Sequence, residues 1–172
     1  MGASGTVTIR KLEREHLGTV AAWLSDPATN RLLTAEWRGR TIDATVLAIA
    51  LRNRRNVFYQ VEHDGRVCGL VAFSDFEPTD RVAMIWYVLG DRSLAGRGVT
   101  TAAVRQMCDV GFRELGLASI WAMVFAPNLA SLRVLRKAGF QDAGCIRQSE
   151  RIDGAQVDRM LFDLLPGELT GG

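Results

Sequence analysis

The stretch Ala95-Gly96-Arg97-Gly98-Val99-Thr100-Thr101 holds the residues best suited to chemistry. Glycines at 96 and 98 let a backbone approach a ligand closely. The run that follows reads as a helix, whose first N–H groups have no intrahelical acceptor and carry the positive end of its dipole. That combination is an anion site suited to a phosphate or pyrophosphate, and Arg92 and Arg97 add positive charge beside it. Neither common nucleotide fingerprint is present. GxxxxGK[ST] does not occur, and Thr101 stands where a dinucleotide-binding loop has its third glycine. Taken alone, a Gly-x-Gly loop is a turn. No metal site is expected either. Cys68, Cys108 and Cys145 lie 40 and 37 residues apart, and His16 and His63 are the only histidines. An odd set of cysteines without framework spacing predicts buried thiols in a reducing cytoplasm.

The elements that must position this loop alternate in type. Val7 to Lys11 reads as a strand and Glu13 to Ser25 as a helix, ended at Asp26-Pro27. Thr41 to Arg52 reads as a second helix with Thr41 as its cap. Asn56 to Glu62 and Arg66 to Ser74 are strands joined by a hairpin at Asp64-Gly65. Val82 to Leu89 is apolar throughout, which predicts a central strand. The glycine loop comes next, then a helix from Val99 to Leu115 with Gly116 as C-cap. Ser119 to Phe125 is a strand, Asn128 to Ala138 a helix ended by Gly139, and Phe140 to Glu150 and Gln156 to Leu165 a last strand pair turning at Asp153-Gly154. This order predicts a mixed α/β (α+β) sheet of about seven strands flanked by about four helices. The expected organisation is a flexible segment 1–6, one domain over 7–165 and a tail over 166–172. Met1-Gly2 with Thr6 fits the loose myristoylation pattern, and a flexible start of small residues accounts for it as well.

Composition narrows the class. A chain of 172 residues, 48% apolar and 23% charged, suits one soluble domain. Its longest uncharged apolar run, Val82 to Leu89, is far short of the ~20 residues of a membrane helix. A net charge of +2 gives no basis for nucleic-acid binding. Nineteen of the 21 bases are Arg, which reads mainly as codon bias.

About thirty residues after the glycine loop comes Asn128-Leu129-Ala130-Ser131, running on to Lys137-Ala138-Gly139-Phe140. With both motifs in this order, the chain resembles the GCN5-related N-acetyltransferase superfamily from Val7 to Leu165. The last hairpin resembles most the ribosomal-protein N-terminal acetyltransferases and the related polyamine and antibiotic acetyltransferases. The resemblance implies transfer of an acetyl group from acetyl-coenzyme A to a primary amine of a small molecule or protein N-terminus, in a ternary complex. It also implies cofactor contacts at Arg92, Ala95, Gly96, Arg97, Gly98, Val99, Thr100, Thr101, Asn128, Ser131 and Arg136, and a backbone oxyanion donor among Tyr87, Val88 and Leu89. The sequence departs from the family pattern at Ala95, at Thr100 and at Leu135, where many members carry a proton-donating Tyr.

Three chemical demands follow. The amine must lose a proton, the oxyanion needs a preorganised donor, and the leaving thiolate needs a hydrogen bond or proton. Ser131 is the candidate for the last. The fourth strand lacks an acid, so the base is sought first at Glu77, then at Glu150, with Asp75, Glu36 or a water chain as alternatives. Glu36, Trp37 and Trp86 are candidates for the acceptor pocket, within reach of six Arg at 31, 38, 40, 52, 54 and 55. Two further readings stay open: a non-catalytic acyl-coenzyme A-binding module, and an acyltransferase with an acyl-tRNA or carrier-protein donor. Oligomeric state is open, with a homodimer as one option.

Overall fold

A computed structural model describes residues 5–169. Its core is one seven-stranded sheet in the order β1-β2-β3-β4-β5-β7-β6. The strands are β1 (Val7–Lys11), β2 (Val57–His63), β3 (Arg66–Glu77), β4 (Val82–Leu89), β5 (Ser119–Phe125), β6 (Gln141–Ile152) and β7 (Ala155–Leu164). All neighbours are antiparallel except β4 and β5. The apolar run of β4 takes the middle of the sheet because both of its faces are covered. Two of the three hairpins, β2–β3 and β6–β7, turn on Asp-Gly. Asp64 and Gly65 have φ of 51° and 75°, and Asp153 and Gly154 have 51° and 83°, the paired left-handed geometry of a two-residue hairpin.

Helices cover the two faces. On one side α4 (Val99–Arg113) and α5 (Leu129–Ala138) pack Val104, Met107 and Leu135 against Phe73, Ile120 and Phe162. Gly111 lets α4 come close. A Cβ there would lie 2.8 Å from the Phe73 ring and 3.1 Å from Ile120. On the other side lie α1 (Leu17–Ser25), α2 (Pro27–Asn30) and α3 (Ala44–Ala50), where Leu24 of α1, Leu47 of α3 and Trp37 of the segment between α2 and α3 are buried with Phe58 and Trp86.

Several boundaries differ from expectation. The first turn after Glu13 is a 3-10 turn, Arg14–His16, before α1 starts at Leu17. Helix α1 ends at Ser25 as expected, and Pro27 also opens α2, because the Asp26 carboxylate accepts from Thr29 N–H at 3.0 Å and Pro suits the first helical position. Asp43, not Thr41, caps the next helix, accepting from Val46 N–H at 2.8 Å. Helix α4 closes at Arg113 with Glu114 as its cap, and Gly116 turns the chain two residues later with φ 67°. The segments expected to be flexible are partly tied down. Thr6 N–H donates to Asp64 at 2.9 Å, and Pro166–Glu168 is a 3-10 turn beyond which Leu169 packs on the core. The myristoylation pattern at Met1-Gly2 lies outside the described residues. Two cysteines are buried as expected, but Cys145 is exposed because β6 is an edge strand.

Candidate active site

Strands β4 and β5 pair only at Val82–Ser119, Ala83–Ile120 and Met84–Trp121. Beyond Met84 they part, because β5 stays hydrogen-bonded to β7 from Ile120 through Phe125. The gap widens into a cleft of about 540 Å³ between Ile85–Leu89, Ala122–Val124, the glycine loop and α5.

Strand parity decides which backbone groups face it. Arg81 C=O accepts from Ala118 N–H at 2.7 Å, so odd residues of β4 turn their N–H and C=O toward β5. Cys68 C=O accepts from Gly90 N–H at 2.8 Å, so even residues face β3. Past Met84 the N–H groups of Ile85, Tyr87 and Leu89 therefore point into the cleft with no strand partner. Val88 is corrected on this ground. It borders the cleft, but its N–H belongs to the β3 ladder opposite Leu70.

One end of the cleft is the N-terminus of α4. Gly98 is its N-cap, with φ 82° and no side-chain cap. The first N–H to bond backwards is that of Ala102, to Gly98 C=O at 3.0 Å. The N–H groups of Val99, Thr100 and Thr101 thus have no helical acceptor at a helix end without a side-chain cap, and all three residues border the cleft. Gly96 (φ 77°) and Gly98 leave open space where a Cβ would stand. A fifteen-residue helix ending in this way fits a pyrophosphate. Ala95 also lines the cleft; its methyl blocks nothing.

The long wall is the start of α5. Asn128 caps it, accepting from Ser131 N–H at 3.2 Å. The Ser131 hydroxyl meets the Tyr87 hydroxyl at 2.9 Å, and the Tyr87 hydroxyl also lies 3.2 Å from Ser131 C=O. Burial pushes the Tyr87 phenol well above its ordinary pKa, so it stays protonated. The sequence reading used only the backbone of Tyr87 and missed this side chain. The signal was a lone phenol in an otherwise apolar strand. Leu135, one turn on, is fully buried and offers no proton.

Other expected site residues lie elsewhere. Arg92 borders the cleft, but its guanidinium is tied to Asp26 and lies 3.4 Å from the Thr29 hydroxyl. Arg97 does not border the cleft but lines a smaller cavity with His63 and Val7. Arg136 faces away, paired with Asp142 at 3.2 Å and lying over the Phe162 ring. Glu77 sits opposite Val82, where β4 and β5 are still joined, roughly 16 Å along the strand from Tyr87. Its carboxylate accepts from Thr79 N–H at 3.2 Å. Glu150 is clamped between the guanidiniums of Arg38 and Arg159. The Arg38 hydrogen bond, together with the charge of both bases, holds its carboxyl below the ordinary range, so it is a weak base.

Trp37 is a core residue, and Trp86 is buried beside it while also bordering the cleft. They pack at 5.7 Å between centroids, and Trp86 Nε1 donates to the Ser74 hydroxyl at 2.8 Å. Glu36 follows a different pattern. The residue is exposed, yet protein crowding desolvates its carboxyl and raises its pKa, with repulsion from Asp75 adding to the shift. Asp75 stands at the bulge of β3 with φ 54°. Of the six Arg in the 31–55 segment, Arg31 pairs with Asp153 at 2.5 Å and Arg38 with Glu150, so these two brace the last hairpin. Among the described residues no helix is long and apolar enough to cross a membrane.

Comparison with known proteins agrees with this geometry. The family model "Acetyltransferase (GNAT) domain" matches residues 6–141. The chain is 29% identical over 171 residues to the uncharacterized N-acetyltransferase p20 of Bacillus licheniformis, covering 96% of both chains. RimJ of Mycobacterium smegmatis, solved in complex with CoA-disulfide, is 25% identical and superposes with a TM-score of 0.80 over 98% of this chain and 86% of that one. Spermidine N-acetyltransferase of Vibrio cholerae, solved with CoA and spermine, shares the fold at a TM-score of 0.82 and 18% identity, over 94% and 96% of the two chains. With the family model spanning most of its length, this chain belongs to the acetyltransferase (GNAT) domain family and is an N-acetyltransferase that draws its acetyl group from acetyl-coenzyme A.

Proposed function

We propose that the chain joins acetyl-coenzyme A and an amine in one complex and passes the acetyl group directly to a primary amine of a small molecule or protein N-terminus. The observation that carries this reading is the uncapped N-terminus of α4, open onto the gap where β4 leaves β5. In this reading the N–H groups of Gly96 and of Gly98 to Thr101 hold the pyrophosphate, while that of Arg97 is taken by Leu94 C=O, and Asn128 and Ser131 flank the pantetheine arm. The Tyr87 N–H supplies the oxyanion donor, since it points into the gap without a strand partner. Acetyl-coenzyme A brings the activated thioester, and the protein supplies placement and proton handling.

The acceptor approaches from the face covered by α1 to α3. There the Glu36–Asp75 pair, which does not itself border the cleft, takes the proton of the ammonium through water. A carboxyl whose pKa is raised by crowding and by a like charge works closer to neutral pH than one clamped by two Arg. The catalytic unit spans 7–165, and we place the protein in the cytoplasm, where Cys145 stays reduced.

Calorimetry and a thiol-release assay against a broad amine panel test the reading. Micromolar acetyl-coenzyme A binding and turnover with at least one amine are expected. No binding at 1 mM would overturn it, and binding without turnover on any amine would leave a binding module.

A further inference from the structure

We propose that Arg38 and Arg159 form an anion subsite beside the cleft, so that the amines this chain acetylates carry a carboxylate several bonds from the reacting nitrogen. The proposal rests on the cleft being the acetyl-coenzyme A site and on the acceptor entering from the face of α1 to α3, as argued above.

Strand parity places the pair on that face. Trp121 and Met123 of β5 pack with Leu24, Leu47 and Trp86, whereas Ala122 and Val124 belong to the core under α4 and α5. Phe125 therefore shares the face of Met123. Arg159 of β7 stands directly opposite Phe125, and directly opposed residues share a face. Arg38 arrives from the segment between α2 and α3, and its guanidinium lies 5.1 Å from the centroid of the Phe125 ring. Residues of the cleft wall bracket this point. Met123 precedes Phe125 by two residues, roughly 7 Å along the strand. Thr34 stands one turn before Arg38, and its C=O accepts from Arg38 N–H at 2.9 Å. Asn128 N–H donates to Phe125 C=O at 2.8 Å.

Charge is out of balance there. Among the described residues Glu150 is the one carboxylate that pairs with either guanidinium, and it serves both. Two cations share one anion. Arg38 Nη1, Arg159 Nε and the Ser149 hydroxyl are withdrawn from water without a hydrogen-bond partner. A cluster kept for stability alone satisfies its buried donors, because an orphaned one costs free energy. The uncompensated charge is reachable from outside, since the Arg38 and Arg159 side chains are 22% and 25% exposed. A carboxylate docking on those exposed edges supplies the missing anion. Glu150 is a positioning residue here, holding the two guanidiniums side by side. A polyamine would instead bring positive charge up to two arginines. The spacing from Met123 to Phe125 is too long for an amine and carboxylate on one carbon. It suits an ω-amino acid, or a peptide N-terminus with an acidic second residue.

The test follows thiol release from acetyl-coenzyme A by the full chain. One set of acceptors is aminocaproate, its neutral amide and cadaverine. The other is a pair of pentapeptides with Asp or Asn as second residue. In at least one set the carboxylate form should exceed its neutral partner in kcat/KM by about tenfold or more, the worth of one charge-assisted hydrogen bond, with cadaverine the poorest of the first set. Which set shows the preference tells a small-molecule acceptor from a protein N-terminus. Arg38→Gln and Arg159→Gln should each bring the ratio toward one, and Arg38→Lys, which keeps the charge, should retain part of it. Arginines that only brace the hairpin would lower both partners alike and leave the ratio unmoved. Equal kcat/KM within both sets, turnover confined to amines without a carboxylate, or a ratio unmoved in R38Q and R159Q would overturn the proposal while leaving acyl transfer intact. No acetyl-coenzyme A binding, or no turnover on any amine, would overturn the reading of the cleft and the proposal with it. Should neither variant fold, the wild-type ratios decide the matter.

Discussion

Met84 and Trp121 are the last residues at which β4 and β5 face each other. One residue further, Ile85 has lost its partner strand, while Ala122 is still paired with Phe162 of β7. The cleft follows from that competition. Strand β5 has six ladder positions with β7 and only three with β4, so it diverges with β7. The unpaired N–H groups of Ile85, Tyr87 and Leu89 are then desolvated donors held by a rigid central strand, the setting in which an oxyanion donor works best.

Gly98 should be intolerant of a β-branched residue. Its φ of 82° is left-handed, and a Cβ there meets nothing within 4 Å, so the cost of substitution is torsional rather than steric. Gly98→Val should lower stability by about 1–2 kcal/mol. By turning the Val99 and Thr100 N–H groups off the anion, it should also weaken acetyl-coenzyme A binding by about tenfold or more. Thermal melting and calorimetry read the two effects separately. Unchanged affinity would place the pyrophosphate elsewhere.

Glu150 should matter for stability and not for proton transfer. Its folded pKa is depressed, first by the hydrogen bond from Arg38. The sign is that of a paired carboxylate: the stabilisation is present above the unfolded pKa and lost as pH falls through the lower folded value. Glu150→Gln should therefore melt below wild type at pH 7, and the gap should close in acid. The acid limb of kcat/KM should survive the substitution. Its disappearance in E150Q would restore Glu150 as the base.

What was legible in the sequence is what local pattern controls. Strands Val82–Leu89 and Ser119–Phe125 have the ends their apolar runs predict, and Asn128 and Gly139 bracket α5 because cap and stop are local chemistry. The site was legible where backbone makes it, at the glycine loop. Side-chain partnerships were not. Glu150 meets Arg38 across 112 positions and Tyr87 meets Ser131 across 44, distances that only tertiary register closes. Glu77 is singled out because the fourth strand lacks an acid and Glu77 follows the third. Sequence order puts it at the C-terminal end of β3 but does not say where β4 and β5 part, and that end lies beside their joined stretch. Thr41 and Asp43 both suit a cap, and the helix starts after the second.

The three thiols should separate by reactivity. Cys145 is exposed on the edge strand, whereas Cys68 is buried and pushed up to about 11, and burial pushes Cys108 higher still. An aromatic disulfide reagent at pH 8 should titrate one thiol in the native protein and three in denaturant, since the thiolate is the attacking species. Cysteine-to-serine substitution at 145 should abolish the native reaction. Rapid labelling of two or more thiols in the native state would contradict the packing of α4 on the sheet.

Glu36 should show opposite effects on stability and activity. Its pKa is raised, first by desolvation and then by Asp75, against the pull of Arg40. A carboxyl whose folded pKa exceeds its unfolded value is penalised once ionised. The penalty is absent below the unfolded pKa and develops as pH rises through the folded one. Glu36→Gln removes the charge, so it should melt above wild type at pH 7 and alongside it near pH 4. If Glu36 shares the base role with Asp75, the same substitution should lower kcat/KM for the best amine of the panel by about a hundredfold, and Asp75→Asn should cost a similar factor. A stabilised Glu36→Gln with unaltered kcat/KM would remove the carboxylate pair from the reaction and leave a water chain as the path for the proton.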